Sequence, residues 1–320
     1  MQDKLIARAK ELLAEGKVQK VVGWKKGLFE DDITPAVFNS AEELDKDFVF
    51  NKFCKANLSK YLVKITREIE VAKSTTRMNN TMAKQRDPNA QDKPIPQATV
   101  LVFLKPSDTY SFTQLLKENR ITRGDVYAIG VPCQDTLDGG EVCDNCKNKK
   151  PVSCDELIGI EADVAAVEST RMAEVEKLEH MTADERDAFW KNEFSRCLRC
   201  NACRDICPAC TCEKCVFDNN KLYTSQKVAE TNFEESLFHI IRAWHVAGRC
   251  TDCGECSRVC PQHIPLYLLN RKFIKDINEI YGEYQAGSDM ETKPAMLTFN
   301  AEGDPETTIV YDRSHDTEAE

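Results

Sequence analysis

Basic residues are the minority charge in this 320-residue chain: 43 Lys and Arg stand against 53 Asp and Glu, a formal net charge of −10. The deficit argues against non-specific binding to nucleic acid or to anionic membranes, since both require basic surface. Long apolar runs are missing as well. No stretch approaches the roughly eighteen residues of a spanning helix, and mean hydropathy is −0.48. The opening MQDKLIARAKELLAEG alternates charged and apolar residues on a helical period. It has neither the apolar core nor the small-residue cleavage site of a secretory leader, so the expectation is a cytoplasmic protein. There is no G-x-G-x-x-G, and hence no dinucleotide fingerprint. The five histidines, His180, His239, His245, His263 and His315, are not paired with one another or with carboxylates at metal spacing. His239 reads as a core or edge residue of an apolar helix, and no serine or cysteine stands beside an evident base.

Against these shortages stand sixteen cysteines. Disulfides are rare in a reducing compartment, and so many thiols exceed what packing requires, which points to metal. Elsewhere the chain is ordinary. A helix is expected over 5–15 and a short strand over 18–24. Residues 74–97, with Asn79, Asn80, Pro88, Asn89, Pro94 and Pro96, read as a mobile loop or linker. ATVLVFLKP (98–106) is a continuous apolar run suited to a strand buried on both faces. A helical stretch over 111–118 and a second buried strand, DVYAIGVPC (125–133), complete a βαβ unit, with a further short strand over 157–160.

The second half reads as helical. Thr182-Ala-Asp-Glu185 and Thr231-Asn-Phe-Glu234 are capping boxes. The helix after the second box places Phe233, Leu237, Ile240, Ile241 and Trp244 on one face, and another helix over 265–281 carries Leu266, Leu269, Phe273 and Ile277. Residues 286–320 are acidic and aperiodic, as in an extended arm.

Two segments repeat one pattern. Cys197-Leu-Arg-Cys200-Asn-Ala-Cys203-Arg-Asp-Ile-Cys207-Pro208 and Cys250-Thr-Asp-Cys253-Gly-Glu-Cys256-Ser-Arg-Val-Cys260-Pro261 are both C-x2-C-x2-C-x3-C-P. This is the spacing of bacterial [4Fe–4S] ligand segments. Three thiolates in a tight turn reach three irons of one cube; the fourth, on a following helix, reaches the neighbouring cube, and proline turns the chain away. The expected ligand sets interleave: Cys197, Cys200, Cys203 and Cys260 for one cluster, Cys250, Cys253, Cys256 and Cys207 for the other. Structural zinc wants paired C-x2-C units and leaves the third cysteine and the C-P unexplained.

Further thiols lie outside the repeats. Cys133, Cys143, Cys146 and Cys154 follow a buried strand in a loop-rich stretch with Gly139 and Gly140, and suit a third [4Fe–4S] site, with zinc as the competing ligand. Cys210, Cys212 and Cys215 are open between a further cluster, a replacement role at one of the two cubes, and free thiols. Cys54 stands alone and reads as a small buried hydrophobe. Arg196, Arg199, Arg204, Arg249 and Arg258 flank the motif cysteines, where they either tune potential or solvate the surface.

Taken together, FLKPSDTYSFTQLLKENRI (103–121), YAIGVPC (127–133), CDNCKNKKPVSCDELIG (143–159), SRCLRCNACRDICPACTCEKC (195–215), FHIIRAWHVAGRCTDCGECSRVCP (238–261) and IPLYLLNRK (264–272) resemble the beta subunits of formate dehydrogenases and of coenzyme F420-reducing hydrogenases. The resemblance implies an α/β domain of βαβ units with a mixed or parallel sheet and one [4Fe–4S] cluster (1–165). An α-helical, bacterial-ferredoxin-type dicluster domain (166–285) and an acidic tail (286–320) would follow. It implies an electron-transfer subunit rather than a catalytic one, relaying single electrons inside a cytoplasmic complex. Its partners would be a catalytic dehydrogenase or hydrogenase subunit, a flavin or heterodisulfide-reductase-like subunit, or ferredoxin. The alternative reading is a flavin-containing subunit that reduces F420 or a similar hydride carrier. Relatives of that kind hold FAD with a glycine-rich N-terminal segment that has no counterpart here. The family also often carries cysteine where this chain has Ser107, leaving Cys54 or Cys154 to compensate.

Overall fold

A computed structural model describes residues 1–133, 146, 150–159, 170–218 and 232–294. Cys143, Gly139, Gly140, Ile160, the capping residue Thr231 and the tail from 295 onward lie outside the described residues. The first half is built on a mixed sheet of order β2-β1-β3-β4-β5. Strands β1 (Lys20–Lys26) and β2 (Ile33–Phe38) form an antiparallel pair, in register from Val21↔Phe38 to Lys26↔Ile33. β3 (Val100–Leu104) runs parallel to β1, β4 (Val126–Gly130) parallel to β3, and the short β5 (Glu156–Leu157) parallel to β4. All five residues of β3 are buried, which is why this strand reads as an unbroken apolar run rather than an alternating one.

Helix α1 (Gln2–Ala14) buries Leu5, Ala9 and Leu12, spaced at four and three residues along one stripe. The short α2 (Ala41–Asp47) is capped by Ser40, whose hydroxyl accepts the Glu43 N–H at 3.3 Å. α3 spans Ser59–Arg86, so the stretch from Ser74 to Arg86 is helical and not the loop its composition suggests. Only Ser59, Leu62, Ile65 and Thr66 of this helix are buried. Its distal half continues because Lys, Met, Ala, Gln and Arg are good helix formers and no proline intervenes, and Lys84 pairs with Asp92 of the returning chain. It stops at Asp87, extended at φ −139° and ψ 108°, directly before Pro88, whose ring disfavours a helical predecessor. The chain then folds back: Lys93 N–H donates to Asn80 Oδ1 (2.9 Å) and Asn80 Nδ2 to the Lys93 carbonyl (2.8 Å). α4 (Pro106–Lys117) follows β3 directly and starts five residues earlier than periodicity suggests, with proline in its first turn.

The second half contains α5 (Ala173–His180), α6 (Ala183–Ser195), α7 (Ala202–Asp205), α8 (Asn232–His245), α9 (Glu255–Arg258) and α10 (Leu266–Tyr281). The Thr182–Glu185 capping box is formed in both directions at the start of α6. The stripe predicted on α8 faces outward: Phe233 is 73% exposed and Trp244 63%, with Leu237 and Ile240 also exposed. The opposite face, Glu235, Phe238, His239, Arg242, Ala243 and Val246, is the buried one. The apolar cores of the halves differ in size. The sheet domain has one continuous core from Leu5 to Val131, whereas the core beside the motifs is Phe194, Cys203, Cys256, Ile264 and Leu266.

The halves meet at α4. Asn57 Nδ2 donates to Ser111 Oγ (2.9 Å), and that hydroxyl shares a 2.8 Å hydrogen bond with Thr251 Oγ1. Arg249 Nε donates to Glu118 Oε1 at 2.7 Å. Residues 284–294 return to the same helix. Gly287, at φ +74°, lies so close to Tyr110 that a Cβ there would sit 1.9 Å from its carbonyl oxygen.

Candidate metal centres

The two cysteine motifs adopt one backbone design. The residues on either side of the second cysteine are left-handed in both: Arg199 (φ 51°) and Asn201 (φ 63°) around Cys200, Asp252 (φ 57°) and Gly254 (φ 73°) around Cys253. A short helix follows in each case, α7 and α9, and carries the third cysteine. Asn, Asp and Gly accept a positive φ readily; Arg does not, so tertiary contacts must hold Arg199 there. They do. Its Nη2 and Nε donate to Glu235 Oε1 at 3.0 and 3.2 Å, and its guanidinium lies 4.1 Å from the Phe238 ring centre. The equivalent Asp252 is held with opposite sign, accepting Arg271 Nε at 2.9 and 3.1 Å and Arg171 Nη1 at 3.4 Å. Each loop is therefore fixed by a buried ion pair to a helix.

This geometry brings cysteines of the two motifs together. One cavity is lined by Cys197, Cys200, Cys203 and Cys260, with His239 and Ile264. Another is lined by Cys207, Cys250 and Cys253, with Ser111, Glu118 and Thr251. The fourth cysteine of each motif thus faces the first cysteines of the other. Cys256 is buried, and its sulfur accepts a hydrogen bond from Asn270 Nδ2 (3.5 Å); the Arg199 N–H donates to Cys197 Sγ at 3.3 Å. Burial pushes the Cys197 thiol up to about 12 and the Cys256 thiol to about 11. Uncompensated, these groups would be protonated; thiolate ligation needs local positive charge.

That charge is present in a residue the sequence reading missed. Arg242 is 1% exposed, and its Nε, Nη1 and Nη2 have no hydrogen-bond partner among the described residues. Burial works against its charge, but the thiolates of Cys203, Cys256, Cys207 and Cys210 outweigh burial and raise its pKa above the usual value. It stands among thiols of both motifs, as a counter-ion for anionic clusters must. His239, read as a packing residue, is fully buried and stacks on Phe194 at 4.5 Å. Burial, reinforced by Arg242 and Arg199, pushes its pKa down to about 3, so the ring is neutral. His239, Glu235 and Cys197 bring ligand atoms within 4.8 Å of one another. The signal for these residues was a polar stripe, Glu235, His239 and Arg242, at helical spacing opposite the apolar one.

In the sheet domain the first turn of α4 collects the remaining thiols. Lys105 is fully buried, and its ammonium donates to the carbonyls of Cys54, Lys55 and Ala56 at 3.1, 2.9 and 3.0 Å. Burial lowers its pKa, but Asp108, Glu255 and, more weakly, Cys133 reverse this and raise it. Tyr110 is raised by burial and then by the charge of Cys146. Cys154 Sγ lies beside Gly130 at the end of β4, and Val152 N–H donates to Thr109 Oγ1 (3.1 Å). Cys133, Cys146 and the segment before β5 that bears Cys154 thus lie near the start of α4, where a helix N-terminus favours negative charge; Cys143 lies outside the described residues. Ser107 is buried, with its hydroxyl on Asp108 Oδ1 at 3.2 Å. Cys54 is buried too, and its thiol is engaged with the Val49 carbonyl (3.6 Å) and pushed up to about 11. Cys210, Cys212 and Cys215 line a separate cavity. Of the flanking arginines, Arg204 pairs with Asp205 and Asp218, Arg249 with Glu118, and Arg258 with Glu255. No helix among the described residues is long and apolar enough to cross a membrane.

Residues 193–264 match the 4Fe-4S dicluster domain family, so the second half contains an iron–sulfur domain of that class. The chain is also similar to the F420-dependent formate dehydrogenase subunit beta of Methanocaldococcus jannaschii, at 34% identity over 106 residues, covering 33% of this chain and 27% of that protein. It is 29% identical over 107 residues to the F420-dependent formate dehydrogenase 1 subunit beta of Methanococcus maripaludis, covering 33% and 26%. The chain spans about a quarter of the length of these curated relatives. Over about a third of its length the chain is thus similar to formate dehydrogenase beta subunits, and its residues 193–264 carry the 4Fe-4S dicluster domain.

Proposed function

We propose that the chain relays single electrons between partner proteins in a cytoplasmic oxidoreductase complex, and has no substrate chemistry of its own. The observation that carries this reading is the crossed lining of the two motif cavities, Cys260 beside Cys197, Cys200 and Cys203, and Cys207 beside Cys250 and Cys253. On this reading Cys197, Cys200, Cys203 and Cys260 hold one [4Fe–4S] cluster, and Cys250, Cys253, Cys256 and Cys207 the other. Cys133, Cys143, Cys146 and Cys154 hold a third in the α/β domain, residues 1–165, with the dicluster domain spanning 166–285 and the acidic tail 286–320. Bound clusters supply one-electron carriers. The chain's own residues fix the loops through Arg199–Glu235 and Asp252–Arg271, offset the anionic charge with Arg242, and couple the two domains through Asn57, Ser111 and Thr251. The partners are a dehydrogenase or hydrogenase catalytic subunit, a heterodisulfide-reductase-like subunit, or ferredoxin. The relatives' names attach F420 to whole proteins of which this chain covers about a quarter, so F420 reduction through FAD is not carried over.

Iron and acid-labile sulfide per chain, measured on protein purified without oxygen, test the reading. About twelve of each supports three cubanes, about sixteen adds a fourth on Cys210, Cys212 and Cys215, and about eight restricts loading to the dicluster domain, at four irons per cubane. Stoichiometric zinc with little iron refutes it, and flavin released on denaturation moves the chain to the hydride-transferring class.

A further inference from the structure

We propose that Cys210, Cys212 and Cys215 hold an additional [4Fe–4S] cluster in the cavity they line together with Arg242, Lys60 and His245. The proposal rests on the reading of the motif region as a cluster-binding domain and adds a site that neither motif uses. Three features support it, the last of them a cation, Arg242, that this cluster would share with the motif clusters.

Size is the first. The cavity measures about 290 Å³, room for on the order of ten waters at about 30 Å³ each. A single ion closely wrapped by its ligands leaves no such space, whereas a polynuclear group fills it. Ligand supply is the second. Cys210, Cys212 and Cys215, three thiols of one short segment, all line this single cavity, and clustered thiolates are what an iron–sulfur cube takes as ligands.

Charge is the third. Three thiolates on an oxidised cubane leave a net negative group, which a buried site must balance. Arg204 and Arg249 are engaged with carboxylates, Asp205, Asp218 and Glu118. Arg242 is not: its three guanidinium nitrogens are buried without acceptors among the described residues. A guanidinium in that state is costly unless an anion completes it, and cluster sulfides and thiolates are acceptors of the right charge. Lys60 adds a second cation from α3, with its ammonium on the Cys210 carbonyl. The chain supplies thiolates for three irons; the fourth takes a non-thiolate donor, and His245 offers an imidazole at the cavity wall. The Cys210 N–H donates to the Cys207 carbonyl at 3.1 Å, so this cluster would adjoin the one that Cys207 serves.

The test compares the full wild-type chain with the triple variant Cys210→Ser, Cys212→Ser, Cys215→Ser and with Cys212→Ser alone, an exposed position with little demand on folding. Iron, sulfide and zinc per chain are measured on anaerobic preparations, together with electron paramagnetic resonance of the reduced proteins. The triple variant should lose about four irons and four sulfides per chain, with the signals of the two motif clusters retained. Unchanged iron in the triple variant, or loss of zinc in place of iron, overturns the proposal while the dicluster reading stands. A wild-type chain without cluster iron overturns the dicluster reading itself. If the triple variant does not fold, Cys212→Ser decides: loss of at least one iron supports the site, and wild-type iron content refutes it.

Discussion

Replacing Asp252 by Asn removes one charge and almost nothing else. Asn tolerates the left-handed conformation that Asp252 adopts at φ 57°, so the backbone of the second motif keeps its preference. The side chain keeps its size. What is lost is the carboxylate, which faces Arg271 at 2.9 and 3.1 Å and Arg171 at 3.4 Å, with side-chain exposures of 3%, 1% and 6%. Solvent cannot compensate at such burial. Removing one partner of a buried pair costs roughly 3–5 kcal/mol, because the other charge stays behind unpaired. Against a total stability of about 5–15 kcal/mol this is a large share. At about 2–4 °C per kcal/mol for a chain of comparable size, the melting temperature should fall by on the order of 10 °C. The assay is thermal unfolding of anaerobically prepared protein, run as a double-mutant cycle with Arg271→Gln, in which the double variant should recover part of the loss. A single variant that melts within a degree or two of wild type, with no coupling to Arg271, would refute the claim that this pair holds the loop.

Arg242→Met should lower the reduction potentials of the motif clusters, since it removes a positive charge that stabilises the reduced state. A unit charge at about 8 Å and an effective dielectric of about 20 is worth about 2 kcal/mol, on the order of 90 mV for one electron, readable by potentiometric titration. Gly287→Ala would push a Cβ into the Tyr110 carbonyl from a left-handed backbone, so residues 284–294 should detach from α4; faster proteolysis in that segment checks this, and an unchanged cleavage pattern counts against it. Removal of iron by a chelator should collapse the helical content of the second half while the sheet domain survives, because only the latter has an extensive apolar core. Circular dichroism before and after chelation reads the difference, and full retention of helix would contradict it.

Much of this molecule can be read from residue order alone, and the failures share one cause. β3 is legible because burial on both faces leaves no polar positions. α6 is legible because Thr182 and Glu185 make a local, self-contained cap. The distal half of α3 is misread because its asparagines and sparse apolar residues resemble a loop, although good helix formers sustain it until Pro88. α8 is misread more instructively. An apolar stripe is ordinarily the inward one, but the space beside this helix is occupied by thiols, and the face turned toward them carries Glu235, His239 and Arg242. Periodicity finds the helix; only the three-dimensional position of the cysteines says which side is inside. The same holds for the candidate site. Spacing identifies the motif cysteines, whereas Arg242, well separated from both motifs in sequence, becomes meaningful only when the fold sets it among their sulfurs.

The inverted α8 also bears on how the protein can be made. It is translated after the first motif and before the second, so on the crossed ligation proposed above neither cluster can acquire its full ligand set until both motifs have left the ribosome. Until then nothing draws a face of glutamate, histidine and arginine inward, while its other face offers Phe233, Leu237, Ile240 and Trp244 to whatever is near. A chain waiting for iron is therefore a substrate for chaperones and proteases and not a folded reserve. Iron supply would set how much of this protein a cell keeps, and not merely how much of it is loaded.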